Sequence, residues 1–485
     1  MFGTSYTQKI SSLSSLLNNY ITKNYDFGTV YGYLRPFWYN LTTIKDNLNI
    51  GRKKDEDIRQ KALVGDRVID TQIPPRRVWD LYSNRVVPCW VMKDRQWPKP
   101  ISHAWMEETD RNNVWTPING YEWPVSIPKD ANLDLIRIEM LNLGVEYTWL
   151  DVLCLRQKDG KRDVLRVKEW QLDVATIGYL YRVAKVVVWY LSGLGRPLSL
   201  REGDLDSDRC WFRRAWTLQE IGKDQIIAGD TENGPLHAKP IDEKGNYKTK
   251  ILTQFYKKLE ALVDISIDSY DIFGILVQMR DRVSANPLDK ITGLASCLES
   301  AKIPAYYENQ SLEDAWTALV NTIIPWLRGD LFFLYPEPGE TEKKWRPSWD
   351  QVITKPLPAK QSCKAWAGWN EETGEDWCEG HCIEEGTVLG LNMRSIKDAD
   401  RCGKLIVDAY EKKYPFKVTA VHHHLIPEGK YTIISADITL ENWVIGRRLP
   451  NNRFEKVSVL TLPNLREREK LKNLQIITKT LNFLV

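Results

Sequence analysis

Hydrophobic residues near the start of the chain recur at helical spacing. Residues 9–21 are predicted to form an amphipathic helix with the apolar positions Ile10, Leu13, Leu17 and Tyr20. Its polar face lacks the lysines of a membrane-surface helix, so we expect it to pack on the rest of the protein. Because Pro74 and Pro75 then interrupt the chain, residues 1–76 are interpreted as a partly helical N-terminal extension.

The pattern in residues 77–229 alternates between strands and helices. The predicted strands are residues 99–105, 147–155 and 185–191, and the predicted helices are residues 131–143, residues 163–181 and a segment around residues 213–220. The run at 186–191 is almost continuously apolar, which is typical of a strand covered on both faces. This alternation predicts a mostly parallel sheet with helices on both sides, and such folds bind ligands beyond the carboxyl ends of their strands.

The remaining chain changes character twice. A polar stretch at 231–250 is predicted to be a linker or a long loop, and residues 230–335 as a whole are predicted to be a mainly helical region. Residues 336–485 are predicted to be β-rich, with strand-type runs at 387–391, 404–409, 430–435 and 457–462.

Charge and composition narrow the function classes. The net charge is only +3, and no basic block is typical of nucleic-acid binding, so we expect no nucleic-acid partner. No apolar run is long enough to cross a bilayer. The eight cysteines are mostly scattered singly and no secretory signal is recognisable, which favours a cytoplasmic protein with reduced thiols. The chain also has 20 tryptophans, and their indole N–H groups need partners, so some are expected to line grooves.

One segment combines an arginine, a tryptophan and a carboxylate. On a helix, Arg213, Trp216 and Glu220 would project from one face, because helical neighbours lie three and four residues apart. Such a face would hold a flat cationic ring beside a carboxylate. The alternative is a structural helix with a core tryptophan and a solvated ion-pair stripe.

Four ordered blocks extend this pattern into a family resemblance. They are ISHAW at 101–105, WLDVLCLRQKD at 149–159, YLYRVA at 179–184 before the valine-rich strand, and WFRRAWTLQE at 211–220. Together they resemble the heterokaryon-incompatibility (HET) domain of filamentous fungi. The resemblance covers residues 77–229 and implies a role in allorecognition and programmed cell death, with an unknown protein partner of the incompatibility pathway.

HET domains are thought to be distant relatives of the Toll/interleukin receptor (TIR) domain, which has a flavodoxin-like α/β fold. The resemblance therefore implies a flavodoxin/TIR-like, mostly parallel core, followed by the helical region and the β-rich region. Some TIR domains cleave NAD at the nicotinamide–ribose bond with one glutamate, and the matching position here is Glu220. The alternative is a non-enzymatic TIR-like module that signals through protein contacts and can form a homo-oligomer.

The remaining site residues follow from this chemistry, with NAD as the candidate substrate and no cofactor assigned. Glu220 would be catalytic by stabilising oxocarbenium-like charge on the ribose. Either Trp105 or Trp216 would stack on the pyridinium ring, and Arg156, Arg213 or Arg214 would contact the pyrophosphate.

Three polar residues at predicted strand ends complete the predicted substrate-binding set: Ser102, His103 and Asp151. His103 would act as a base or bind phosphate, or else bond to the backbone. Asp151 would bind a ribose hydroxyl or a metal, or else cap the following loop. Without a Gly-x-Gly-x-x-Gly segment, a dehydrogenase-type dinucleotide site is not expected.

A second cluster, formed by Cys378, His381 and Cys382, raises the question of a zinc site. Structural zinc usually needs two well-spaced ligand pairs, and this sequence offers one crowded group. We therefore assign no metal-ligating residue, and the role of the cluster stays open at this level.

Overall fold

The computed structural model describes residues 11–38, 43–92, 97–267, 271–298, 300–359, 363, 365–393 and 400–485. The chain forms two compact units. Unit 1 comprises Met1–Ile267, Asp281–Cys297 and Ala301–Gln310, and unit 2 comprises Asp268–Arg280, Leu298–Ser300 and Ser311–Val485. The predicted domain limits at residues 76, 229 and 335 divide the chain at other positions, because unit 1 takes segments from both sides of residue 230.

The described residues contain both helices and strands throughout the chain. The helices are α1 Ser11–Thr22, α2 Phe27–Leu34, α3 Ile44–Ala62, α4 Leu133–Asn142, α5 Asp151–Cys154, α6 Asp163–Asp173, α7 Ile177–Val183, α8 Lys250–Ile267, α9 Ile272–Arg280, α10 Leu288–Thr292, α11 Leu312–Val320, α12 Pro325–Phe333, α13 Trp349–Thr354 and α14 Leu465–Asn473. None of these helices is both long and apolar enough to span a membrane.

Strands in unit 1 are mostly short, and those in unit 2 are longer. The unit 1 strands are β1 Leu63–Val64, β2 Arg67–Val68, β3 Arg77–Asp80, β4 Arg85–Pro88, β5 Lys99–His103, β6 Arg111–Val114, β7 Val125–Pro128, β8 Tyr147–Trp149, β9 Val186–Tyr190, β10 Asp224–Ile227 and β11 Ile303–Pro304. The unit 2 strands are β12 Gly368–Trp369, β13 Asp376–Leu389, β14 Arg401–Ala409, β15 Lys412–Ala420, β16 Gly429–Ser435, β17 Asn442–Leu449, β18 Arg453–Thr461 and β19 Thr478–Leu484.

The N-terminal helices of unit 1 pack through a shared apolar cluster. Leu13 and Tyr20 of α1 are buried together with Leu34, Ile44 and Leu48 of the next two helices. The predicted amphipathic helix is therefore confirmed within the described residues, which exclude Ile10.

A six-stranded sheet forms the centre of unit 1, in the order β10-β9-β5-β8-β3-β4. The first four strands in this order run parallel to one another, whereas β3 and β4 are antiparallel to their neighbours. Most of β9 is buried, as its valine-rich sequence predicts. The predicted mixed α/β architecture is thus confirmed, with an antiparallel pair at one edge of the sheet.

Two predicted elements are shorter than the sequence pattern indicates. The predicted strand at 147–155 ends at Trp149, and residues 151–154 form the helix α5 instead. A short apolar run is buried either way, so its periodicity does not separate a strand from a helix. The predicted helix at 163–181 is divided into α6 and α7, and Thr176 at the break bonds through Oγ1 to the carbonyl oxygen of Leu172 at 3.0 Å.

The predicted α-helix at 213–220 was wrong. The chain forms two 3-10 turns there, Trp211–Arg213 and Trp216–Gln219, and Glu220 follows the second turn. Thr217 Oγ1 donates to the carbonyl oxygens of Trp211 at 2.6 Å and Arg214 at 2.8 Å, which draws these carbonyls away from helical bonding. Arg213, Trp216 and Glu220 therefore do not share one α-helical stripe.

Unit 2 is built around a ring of paired strands. The antiparallel pairings run from β13 through β14, β15, β18, β17 and β16, and the pairing of β16 with β13 closes the ring. Ring closure pairs both edges of the sheet. Its buried core includes Val388, Leu405, Ile433 and Trp443. The β-rich character predicted for the C-terminal part is confirmed.

Candidate functional site

A cavity of about 630 Å³ opens in unit 1 at the carboxyl ends of the parallel strands. His103 ends β5, Trp149 ends β8, and both line this cavity. Along the chain the parallel strands follow the order β5, β8, β9, β10, yet β8 and β9 lie on opposite sides of β5. The cavity therefore lies next to the point where the strand order reverses, which is where open α/β sheets bind ligands.

Glu220 lines the cavity, and a short hydrogen-bond chain positions its carboxylate. Ser102 Oγ donates to Glu220 Oε2 at 2.5 Å, and Trp211 Nε1 donates to the same Ser102 oxygen at 2.7 Å. The indole N–H of Trp189 donates to the backbone oxygen of Glu220 at 3.2 Å. Ser102 and Trp211 are fully buried, so the side chain of Glu220 is held from the protein interior.

The environment of Glu220 favours its neutral form more than water does. Burial raises the pKa of this carboxyl to about 7, against the opposing effect of the Ser102 hydrogen bond, and the charge of Asp151 raises it further. His103 and Arg282 act in the other direction. The group therefore titrates near neutral pH, which is the range in which a carboxylate can exchange protons during a reaction.

His103, Asp151 and Trp105 form a second hydrogen-bonded group in the cavity wall. His103 Nε2 lies 2.8 Å from Asp151 Oδ1, and Trp105 Nε1 donates to Asp151 Oδ2 at 3.1 Å. Burial opposes protonation of His103, but the Asp151 carboxylate and Glu220 raise the pKa of the imidazole above its usual value. Asp151 and Glu220 therefore favour the protonated form of His103 more than water does.

Aromatic side chains form much of the remaining wall. Trp105 and Trp216 both line the cavity, as do Trp170 and Tyr306. The rings of Trp216 and Tyr306 lie with their centroids 6.4 Å apart. Such surfaces accept flat rings, and a cationic ring in particular.

A buried arginine braces the turn that precedes Glu220. Arg282 Nη1 donates to the carbonyl oxygen of Arg214 and to Thr217 Oγ1, both at 2.7 Å. Burial lowers the pKa of Arg282 to about 10. Arg282 also lies close enough to Glu220 to lower the pKa of its carboxyl, so it acts on the site without lining the cavity.

The structure brings five of the eight predicted site residues into the cavity wall. They are His103, Trp105, Asp151, Trp216 and Glu220. Ser102 does not line the cavity but lies behind Glu220 as its hydrogen-bond donor.

Arg156 and Arg213, predicted as substrate-binding residues, do not line the cavity. Arg156 is buried and pairs with Glu122 at 3.1 Å and Glu169 at 3.5 Å. Arg213 pairs with Asp208 at 3.1 Å, because the 3-10 turn directs it away from the position that an α-helix would give it. Arg214, the third arginine considered for the pyrophosphate, does line the cavity.

Sequence reasoning missed the contribution of residues beyond the resembling region. Asn286, Asp289, Tyr306 and Glu308 line the cavity although they follow residue 229 by more than 50 positions in the chain. The sequence predicted residues 230–335 only as a mainly helical region, and helical periodicity carries no information about which side chains reach the cavity.

The side chains of Cys378, His381 and Cys382 do not form a metal-binding group. Both cysteines are fully buried on β13, whereas His381 is partly exposed and its Nδ1 lies 3.3 Å from the carbonyl oxygen of Ala436. Within the described part of the chain, no group of three or more His, Cys, Asp or Glu side chains is arranged to hold a metal ion.

Comparison with protein-family models, with curated proteins and with solved structures gave no match to this chain.

Proposed function

We propose that this protein cleaves NAD at the nicotinamide–ribose bond, with Glu220 as the catalytic carboxylate. The observation that carries the proposal is the Glu220 carboxyl itself, which lines a cavity at the reversal of strand order and has a pKa of about 7. The volume of about 630 Å³ lies within the range of about 300–1,000 Å³ that is usual for small-molecule sites.

The chemistry of this bond suits a single carboxylate. Nicotinamide in NAD is a cationic leaving group, so the C1′–N bond breaks with its electron pair moving to the ring nitrogen, which becomes neutral. Positive charge develops on the ribose, and a preorganised carboxylate stabilises it. Water then adds to C1′ and releases a proton, so the products are nicotinamide and ADP-ribose.

The surrounding groups have supporting roles in this proposal. Trp105 and Trp216 offer faces for the pyridinium ring. Both carboxylate oxygens of Asp151 already accept hydrogen bonds, from Val152 N on Oδ1 and Trp105 on Oδ2. Asp151 therefore positions His103 and Trp105, and because each carboxylate oxygen has two acceptor sites, Oδ2 can also accept a hydrogen bond from a ribose hydroxyl.

The strand order also supports a flavodoxin/TIR-like core. When the four parallel strands of the described residues are numbered along the chain, their order across the sheet is 2-1-3-4, which matches the first four positions of the flavodoxin-like order. This order, together with the four HET-like blocks, supports an effector of allorecognition and cell death. The second candidate is a non-enzymatic module that acts through protein contacts and homo-oligomer assembly.

A direct assay tests the catalytic proposal. The purified full chain is incubated with NAD, and nicotinamide and ADP-ribose are quantified by chromatography. We expect release by the wild type, a loss of at least about 100-fold for Glu220→Gln, since preorganised charge stabilisation is usually worth that much, and no change for Glu243→Gln. Glu243 is an exposed glutamate outside the cavity and serves as the matched control.

Two results would overturn the catalytic proposal. One is the absence of nicotinamide release by a folded wild-type protein. The other is release by Glu220→Gln at the wild-type rate.

A further inference from the structure

The arginines and lysines that line the cavity differ in whether they have an ion-pair partner. Four arginine and lysine side chains line it: Arg111, Lys158, Arg209 and Arg214. Three of them make ion pairs: Arg111 with Glu108 at 3.3 Å, Lys158 with Glu308 at 2.5 Å, and Arg209 with Glu107 at 3.0 Å. Among the described residues, none forms an ion pair with the guanidinium of Arg214.

Arg214 is nevertheless partly withdrawn from solvent. It is partly buried, and burial lowers the pKa of its guanidinium. Removing a cation from water is unfavourable unless an anion or hydrogen-bond acceptors compensate. A cavity cation without such a partner therefore favours an anionic ligand.

The charged groups that face Arg214 do not neutralise it by direct contact. They are Asp289, Arg111, Asp208 and Glu220, and all four line the cavity. Asp289 accepts a hydrogen bond from the Tyr306 hydroxyl at 3.0 Å, and Asp208 pairs with Arg213 at 3.1 Å. Arg111 adds a second positive charge, and its guanidinium lies 5.3 Å from the Trp105 ring centroid.

We infer that Arg214 binds a phosphate group of the substrate, so that the cavity takes phosphorylated nucleosides and discriminates against their unphosphorylated forms. This inference rests on the proposed function and names the substrate class of the same site. Glu220 contacts the ribose end of the ligand, and Arg214 contacts the phosphate attached to that ribose. A guanidinium suits this task because its fork of N–H donors matches two phosphate oxygens.

Binding of reaction products tests the phosphate contact without turnover. Isothermal titration calorimetry compares ADP-ribose, ribose 5-phosphate, ribose and inorganic phosphate on the full chain. We expect both phosphorylated sugars to bind more tightly than ribose or inorganic phosphate. Arg214→Gln is expected to weaken ADP-ribose binding roughly 10-fold or more, because the variant loses charge-assisted hydrogen bonds to the phosphate.

Two controls separate charge recognition from misfolding. Arg214→Lys keeps the charge and is expected to retain part of the affinity. Arg201→Gln removes an exposed arginine outside the cavity and should bind ADP-ribose like the wild type. The contact is excluded if a folded Arg214→Gln variant binds ADP-ribose as tightly as the wild type. It is also excluded if inorganic phosphate binds as tightly as ribose 5-phosphate, which would indicate an adventitious ion only.

Cleavage assays distinguish this inference from the proposed function. The wild type is expected to cleave nicotinamide mononucleotide with a higher kcat/KM than nicotinamide riboside, and Arg214→Gln is expected to remove most of this preference. Equal kcat/KM values for the two substrates in the wild type would overturn the Arg214 assignment and leave the NAD-cleavage proposal intact. Arg214-dependent binding of ADP-ribose without any nicotinamide release would support the phosphate contact and overturn the NAD-cleavage proposal.

Discussion

At the scale of single residues, the site depends on the carboxyl group of Glu220, whose surroundings disfavour its ionised form. Ser102 favours the ionised form of Glu220 through a 2.5 Å hydrogen bond, whereas burial and the charge of Asp151 favour the neutral form. The balance leaves a pKa of about 7. A carboxylate that stabilises a developing cation must be ionised, so proton occupancy and catalysis are coupled at this position.

This coupling predicts a pH dependence of cleavage. We expect kcat/KM for NAD to rise with pH and to level off above about pH 7, because the free protein needs ionised Glu220. Ser102→Ala removes a hydrogen bond that lowers the pKa of Glu220, so its inflection should move to higher pH. The measurement is nicotinamide release between pH 5 and 9, with Ser199→Ala, an exposed serine, as control. An inflection that Ser102→Ala leaves unmoved would show that another group controls the rate.

The same residue predicts an effect on stability. In the unfolded chain Glu220 ionises around its usual pKa of 4.5, whereas in the folded protein it ionises at about 7. Below both pKa values the carboxyl is protonated in either state, so its ionisation does not affect the free energy of unfolding. As the pH rises between them the unfolded state is favoured, and above pH 7 the full penalty, up to about 3 kcal/mol, applies.

Glu220→Gln should therefore increase the free energy of unfolding at pH 8 and have little effect at pH 4. Urea denaturation at both pH values measures the difference, and Glu243→Gln should show none. If Glu220→Gln destabilised the protein at pH 8, the carboxyl would not be under the strain that its burial indicates.

At the scale of elements, the turns around Glu220 show why a helical prediction fails. Residues 211–220 contain good helix formers, but Thr217 and Arg282 bind the carbonyl oxygens that an α-helix would use. The backbone N–H of Ala215 also donates to the carbonyl oxygen of Val283 at 2.9 Å. A segment from farther along the chain thus determines the local conformation of this one.

Arg282→Met tests this brace. Removing two hydrogen bonds that the guanidinium makes should lower the free energy of unfolding by roughly 1–3 kcal/mol, since Thr217 Oγ1 is buried and the Arg214 carbonyl is partly buried. Loss of the turn should also lower kcat for NAD cleavage more than it raises KM, because Glu220 would be displaced. Chemical denaturation and steady-state kinetics measure the two effects, with Arg201→Met as control. An Arg282→Met variant with the stability and the kcat of the wild type would contradict the bracing role.

At the scale of the whole molecule, the two units differ in architecture. Unit 1 contains the mixed sheet and the cavity, and unit 2 is dominated by a closed ring of strands with its own buried core. An effector of cell death would use the cavity for chemistry, whereas an assembly module would act through its surface. The first alternative requires Glu220, and the second does not.

Expression in living cells separates the two functions. If NAD cleavage causes toxicity, the wild type should lower cellular NAD and viability, and Glu220→Gln should do neither at the same protein level. NAD content and colony counts, normalised to immunoblots, provide the measurement. Persistent toxicity of Glu220→Gln with unchanged NAD would favour the assembly module, and light scattering of the purified chain would then test for a homo-oligomer.

The sequence by itself determined the elements whose pattern is long and regular. The valine-rich strand β9, helix α4, the amphipathic α1 and the β-rich C-terminal part all follow from periodicity and from the residue types that suit strands. Buried apolar residues impose these patterns locally. Motif order along residues 101–220 also pointed to His103, Trp105, Asp151, Trp216 and Glu220, which line one cavity.

Only the tertiary structure decided which charged groups the cavity uses. The sequence offers Arg156, Arg213 and Arg214 as equal candidates for the pyrophosphate contact. In the structure, the first two have ion-pair partners, and the third lines the cavity without one. That difference depends on the folded chain, because Glu122 and the bracing Arg282 lie far from these arginines in the sequence. Burial and partner charges are properties of the packed molecule, and for that reason neither the pKa of Glu220 nor the role of Arg214 can be derived from residue order alone.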